Sequence, residues 1–223
     1  MATILDGRDF ALDDGREVRL AAVEVPTRGR PGAAAKAALR EAPCRADGEL
    51  RQPAPAADRY GRILAQVFLT GESDGHAAAH ELLAQGYARV GAHVGSPACA
   101  AELLAREQSA RAAKLGLWVD PYYVIRGAES GAELLGERGR FTVVEGKVLS
   151  VRESGGTIYV NFGRRWSEAL TVTILKRHER IFTQAGLPLK SLQNRFVRVR
   201  GWIDERNGPR IEASYPEQIE LPN

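Results

Sequence analysis

Leu12-Asp13-Asp14-Gly15-Arg16-Glu17-Val18-Arg19-Leu20 reads as two strands joined by a tight turn. An Asp-Gly pair supplies the backbone freedom that a hairpin turn demands. Working outward, strands are expected over about 8–12 and 16–24, with Gly7 punctuating the segment before them. A third strand is expected over 62–69, where Ile63, Ala65, Val67 and Leu69 alternate with Arg62, Leu64, Gln66 and Phe68. Both sets hold apolar residues, so this strand reads as buried on both faces. Around the strands lie three helical segments: the alanine-rich 32–41, about 76–85 ended by Gly86, and about 98–115 ended by Gly116. Residues 42–57, with Pro43, Pro53 and Pro55, read as an irregular loop holding one short strand near 48–52. Strands that close on themselves with helices appended predict a small barrel.

Residues 126–139 hold four glycines and several charges and read as a linker. Beyond it strands are expected at about 140–152, 157–163 and 169–175, then a helix at 176–185, then strands at 194–204 and 209–213. Three strands, a helix and two strands is the element order of an OB-type barrel. The predicted fold class is mainly β with appended helices, two OB-fold barrels in tandem, over 1–125 and 140–223.

The chain has 223 residues, 44% of them hydrophobic and 26% charged, a balance that suits globular domains and excludes wholesale disorder. No apolar run reaches the roughly 18 residues of a spanning helix, so no membrane partner is expected. Met1 leads into Ala2-Thr3-Ile4-Leu5 without a signal peptide, although a removed leader would look the same, so a cytoplasmic and an exported location both stay open. Cys44 and Cys99 are too few for a four-cysteine metal site and stand either as one disulfide or as two thiols.

The formal charge of +3 is unevenly divided. Residues 1–139 carry 17 Lys and Arg against 19 Asp and Glu, giving −2, while residues 140–223 carry 14 against 9, giving +5. A basic second half suggests an anionic partner. In that half Val197, Val199 and Ile203 alternate with Phe196, Arg198, Arg200 and Trp202, and Ile158, Val160 and Phe162 alternate with Thr157, Tyr159 and Asn161. One strand face is aliphatic; the other mixes rings with arginines. Rings stack on bases and guanidiniums hold phosphates, so Tyr159, Arg198, Arg200 and Trp202 are candidates for binding single-stranded DNA or RNA.

Arg19 and Arg62 form a second constellation. A guanidinium holds phosphate through two parallel charge-assisted hydrogen bonds, and a converging pair suits the charge that grows on a phosphoryl group under attack. The residues Asp6-Gly7, Leu12 through Leu20, Pro26, Asp58-Arg59-Tyr60-Gly61-Arg62, Leu83 through Val90, and Glu107 through Gly116-Leu117-Trp118 resemble the thermonuclease (staphylococcal nuclease-like) family over about residues 3–124. That resemblance implies a five-stranded OB barrel with three helices and calcium-dependent hydrolysis of DNA or RNA. It further implies Arg19 and Arg62 as the two transition-state arginines, with Arg59 and Tyr60 helping to hold substrate phosphate.

Departures from the family pattern fall in one place. In Asp6-Gly7-Arg8-Asp9 the metal aspartate aligns with Arg8; in Val23-Glu24-Val25-Pro26-Thr27, Glu24 replaces the other metal aspartate and Thr27 the general-base glutamate. Calcium takes six to eight hard oxygens, the Arg8 cation repels the ion, and a threonine hydroxyl is no base near neutral pH. Glu24 is left as the weak metal candidate and Thr27 as an inactive residue at the base position. Asp9, one position past Arg8 on a strand, is expected on the opposite face unless a bulge returns it. The expected function is a nucleic-acid-binding protein of this family with hydrolysis lost or much reduced and no cofactor, calcium entering only if the family chemistry survives. The alternatives are an active phosphodiesterase with a rearranged metal site and a protein-interaction module. His76 and His80 lack the glutamate order of a zinc helix and read as solvated; His93 reads as surface.

Overall fold

The structure, a computed structural model, describes residues 3–26, 29–41, 49–52, 57–58, 60–68, 78–95 and 97–222. Thr27, Cys44, Arg59 and His76 lie outside the described residues. The chain divides into two compact units, Met1–Tyr123 and Val124–Asn223.

The first unit runs β1 (Thr3–Ile4), β2 (Asp9–Ala11), β3 (Glu17–Leu20), β4 (Val23–Glu24), α1 (Gly29–Glu41), β5 (Glu49–Arg51), β6 (Ile63–Phe68), α2 (Ala78–Ala84), β7 (Arg89–Val90) and α3 (Pro97–Ala112), closing with a 3-10 turn at Gly116–Val119. Its main sheet has the order β1-β2-β3-β6-β5. The Asp14-Gly15 turn joins β2 to β3 as the sequence predicts, with Leu12 N–H donating to Arg16 O at 2.8 Å. β3 runs parallel to β6, with Arg19 level with Leu64. Val18, Leu20, Ala65, Val67, Leu82 and Leu83 are among the buried residues of its core.

Two expectations for this unit need correction. The strand expected over 16–24 breaks at Ala22, which has φ 68. There the Ala22 carbonyl accepts the Gly91 N–H at 2.7 Å, and the chain leaves β6 to pair with β7. β6 is fully buried at Ala65 and Val67 only; Ile63 on the same face and Leu64, Gln66 and Phe68 on the other are part-buried.

The second unit runs β8 (Arg126–Gly127), α4 (Gly131–Gly136), β9 (Phe141–Lys147), β10 (Ser150–Ser154), β11 (Thr157–Asn161), β12 (Thr171–Leu175), α5 (Glu179–Gln184), β13 (Phe196–Glu205), β14 (Pro209–Glu212) and β15 (Ile219–Glu220). The sheet order is β10-β11-β12-β14-β13-β9-β8, with β15 on β13. The segment expected as a linker is therefore structured: β8 pairs with β9, and Ala128 and Leu134 are buried in this unit's core. Its glycines hid a short helix whose apolar residues have a core to enter. The strand expected over 140–152 is two strands. At Val148 and Leu149 the chain exchanges partners: Val148 N–H donates to Arg195 O at 2.9 Å and Leu149 N–H to Asn161 O at 2.8 Å.

The end of the first unit depends on two glycines. Gly86 (φ 72) and Gly116 (φ 52) approach so closely that a Cβ on Gly116 would lie 2.3 Å from Gly86 O, and one on Gly86 would lie 2.4 Å from Leu115 O. Leu117 N–H donates to that same Gly86 carbonyl at 2.8 Å. Gly116→Ala should therefore destabilise the first unit by more than about 2 kcal/mol, combining a left-handed conformation with a backbone clash. A urea midpoint equal to that of the wild type would show that the two segments part easily.

Candidate functional site

The candidate site is assembled from β2, β3, β4 and the turn that leads into β6. β2 and β3 pair antiparallel with Asp9 directly opposite Arg19, so their side chains share a face. Asp9 is buried, and its carboxylate takes two hydrogen bonds from Arg19, Nε to Oδ1 at 2.7 Å and Nη2 to Oδ2 at 2.5 Å. Arg62 Nη1 donates to the same Oδ2 at 3.0 Å. The two arginines converge as expected, and they converge on a carboxylate. Asp9, expected to face away from the site, is its centre; no bulge is needed, because the side opposite Arg8 is the side on which Arg19 stands.

The turn before β6 is built by Asp58. Its Oδ1 accepts the N–H groups of Tyr60 at 2.8 Å and Arg62 at 3.0 Å, and its Oδ2 accepts Arg62 Nε at 2.8 Å. Burial works to raise the Asp58 pKa from 3.8, but the hydrogen bonds from the Arg62 side chain and from the Arg62 and Tyr60 backbone outweigh it and bring it to about 2. Tyr60 is exposed, with the Arg62 guanidinium 4.9 Å from its ring centroid. The Arg19 guanidinium is held above its ordinary pKa by its hydrogen bonds to Asp9, against the opposing effect of burial.

Arg8 lies on the other side of the Asp6 turn. Asp6 Oδ1 accepts the N–H groups of Arg8 and Asp9, each at 2.8 Å, which fixes the two side chains on opposite faces. Arg8 Nη1 then reaches Glu24 Oε2 at 2.7 Å. Asp6, Asp9, Glu24 and Asp58 stand against Arg8, Arg19 and Arg62, four negative charges against three positive, for a local formal charge of −1. Among the described residues no group of three or more His, Cys, Asp or Glu side chains is placed to hold a metal ion.

The ring-and-arginine face of the second unit is only partly available. Trp202 and Phe196 are half-exposed, and Trp202 meets Phe141 edge-on with ring centroids 6.0 Å apart. Arg200, expected to bind substrate, is fully buried and paired with Glu220 of β15, the strand that pairs with β13 at Arg198 and Val199. Arg198 is held by Glu145 at 2.7 Å. Tyr159 stacks nearly parallel with Trp166, an aromatic that the sequence reading left out. His93 is exposed, and His80 lies 3.7 Å from Glu102, away from any metal cluster.

Residues 17–120 match the family described as Staphylococcal nuclease homologue, a little under half of the chain. The first unit thus contains a staphylococcal nuclease-like domain. The match takes in Arg19, Glu24 and Arg62 and leaves Arg8 and Asp9 before its start. No curated protein matches the chain. Likeness to that family suggests nucleic acid binding, and no described helix is long and apolar enough to cross a membrane.

Asp58 offers a test in acid. Its folded pKa lies below the ordinary 3.8, so its contribution to stability is complete above that value and fades as pH falls from 3.8 towards about 2. Asp58→Asn should be less stable than the wild type near neutral pH, with the gap closing over that interval in urea titrations at stepped pH. A gap that stays constant would mean that Arg62 does not hold the carboxylate.

Proposed function

We propose that this chain is a nucleic-acid-binding protein of the thermonuclease group in which calcium-dependent phosphodiester hydrolysis is lost or much reduced. The observation that carries the reading is the Arg8–Glu24 ion pair at 2.7 Å. By the family resemblance, these two side chains stand where a calcium ion would find two carboxylates. A guanidinium there occupies Glu24 Oε2 and adds a positive charge where the ion would sit, while Asp9 is taken by two arginines. This donor set does not suit an ion that requires six to eight oxygens. Thr27, at the base position, carries no group that accepts a proton near neutral pH.

Arg19 and Arg62 remain equipped for phosphate, with Asp9 as the resident anion. A phosphodiester of the bound strand would take the place of Asp9 and use the same donors. Single-stranded nucleic acid is the preferred ligand on this reading, since Tyr60 beside Arg62 and the exposed rings of the second unit suit unstacked bases. The second unit is read as an OB-type barrel. Supporting this, β9 and β10 are consecutive in the chain, separated by Val148 and Leu149, yet β10 stands at one end of the ladder and β9 next to the other.

Incubation with single-stranded DNA and RNA, with calcium or with chelator, should show salt-dependent binding without cleavage. Arg19→Ala combined with Arg62→Ala should weaken that binding roughly tenfold and flatten its salt dependence. Robust calcium-dependent cleavage by the wild type would overturn the reading, whereas cleavage gained by Arg8→Asp with Thr27→Glu would strengthen it.

Asp9→Ala separates the structural and the ligand roles of that carboxylate. Removing the shared partner of two largely buried guanidiniums should cost about 3–5 kcal/mol in the absence of anions. Inorganic phosphate should then raise the melting temperature of the variant more than that of the wild type. An equal response would show that Asp9 does not occupy the anion position.

A further inference from the structure

Between β11, β12, β14 and the turn joining β13 to β14 lies a cavity of about 260 Å³. It is lined on one side by Tyr159 and Trp166 and on another by Arg206 and Arg210, with Thr173 on its β12 wall. We propose that this cavity binds a single unpaired nucleobase of a strand whose phosphates lie along the arginine rim. The choice of nucleic acid as ligand rests on the function proposed above; the cavity itself is independent of the Arg19–Arg62 site.

Three observations carry the assignment. The wall is a ring face: Tyr159 and Trp166 have interplanar angle 8° and centroids 6.0 Å apart, and Trp166 is 49% exposed. A half-exposed indole already backed by a second ring is a stacking platform, and stacking on such a surface tolerates any base. Next, Thr173 is 6% exposed and its hydroxyl has no hydrogen-bond partner among the described residues. Its neighbours Val172 and Ile174 point into the core, so Thr173 points to the cavity side of β12. A buried polar atom without a partner is rare, and a ligand atom or a water must satisfy it. The buried Nε of Arg210 likewise lacks a partner, while the other end of that guanidinium is held by Asp204. A hydroxyl and an N–H opening on one aromatic-walled space suit the carbonyl and ring-nitrogen acceptors of a base edge.

The charge at the rim decides between a base and a sugar, either of which stacks on indole. Arg206 is exposed and makes no ion pair among the described residues, so it stands ready for an anion. The rim is also held in place: Gly208 has φ +144, and a Cβ there would lie 1.8 Å from Trp166 O. Only glycine lets the turn that carries Arg206 press against the segment that carries Trp166. A neutral saccharide takes only hydrogen bonds from that arginine, whereas a phosphate also answers its charge.

The test uses the full chain and an oligothymidylate, followed by tryptophan fluorescence and by anisotropy of a labelled strand. Trp166→Ala should reduce affinity roughly tenfold. Thr173→Val keeps the shape and removes the unsatisfied hydroxyl. It should lower affinity about threefold while raising the melting temperature of the free protein by about 4 °C, a pairing of opposite signs that a purely structural role does not produce. Arg19→Ala with Arg62→Ala should leave the quenching of Trp166 in place. Full affinity in both Trp166→Ala and Thr173→Val would overturn the proposal, as would quenching by maltotriose in place of the oligothymidylate. Unchanged affinity in the Arg19 and Arg62 double variant alone would instead count against the first-unit reading and leave this cavity standing.

Discussion

The Asp9 carboxylate between Arg19 and Arg62 is the interaction on which the candidate site depends. Two guanidiniums drawn together in a part-buried place repel one another unless an anion lies between them. Asp9 supplies that anion from inside the fold. It draws β2 onto β3 through Arg19 and fixes the turn before β6 through Arg62, so the geometry that suits a phosphate exists before any phosphate arrives. The arrangement favours selectivity over strength. A ligand gains only the difference between its own oxygens and those of Asp9, and that difference is largest for a group with several negative oxygens that can reach both arginines at once.

Arg8 and Glu24 solve a related problem differently. Where Asp9 is shared, Glu24 is matched with one cation that approaches from the opposite face of the same turn, both faces being set by Asp6. Charge is thus balanced locally by side chains on each side of β2. In the second unit the same tendency appears at Arg198 and Arg200, which answer to Glu145 and Glu220. Each of these pairs joins one cation to one anion of the same segment, so the excess of +5 in residues 140–223 is carried by other side chains than Arg198 and Arg200.

How much of this was legible in the sequence varied with the kind of signal. The Asp14-Gly15 hairpin and the strands carrying Arg19 and Val197 announced themselves by turn chemistry and alternation, both of which are local. Alternation also placed Asp9 correctly opposite Arg8. What it could not say was which strand would lie alongside, and so the pairing of Asp9 with Arg19 was missed; the tight hairpin register was the available clue. Arg200 misled for a similar reason. Period two puts it on the face of Arg198 and Trp202, but β15, a two-residue strand far along the sequence, pairs beside it and brings Glu220 within reach of its guanidinium. Residues 126–139 were read by their glycines, while Leu134 recorded the burial that mattered. Trp166 lies in a loop without periodicity, and nothing short of the fold connects it to Tyr159.

The contact between Gly86 and Gly116 has a bearing on how this protein is made. It joins the end of α2 to the residues after α3, so the first unit is not closed until Leu117 can donate to Gly86. During synthesis more than half of the chain must leave the ribosome before that bond can form. Until then the unit stays open at the end of α2, and an unfinished unit can meet neighbouring chains before it closes. Two residues without side chains thereby set the moment at which the first unit stops being a hazard to itself.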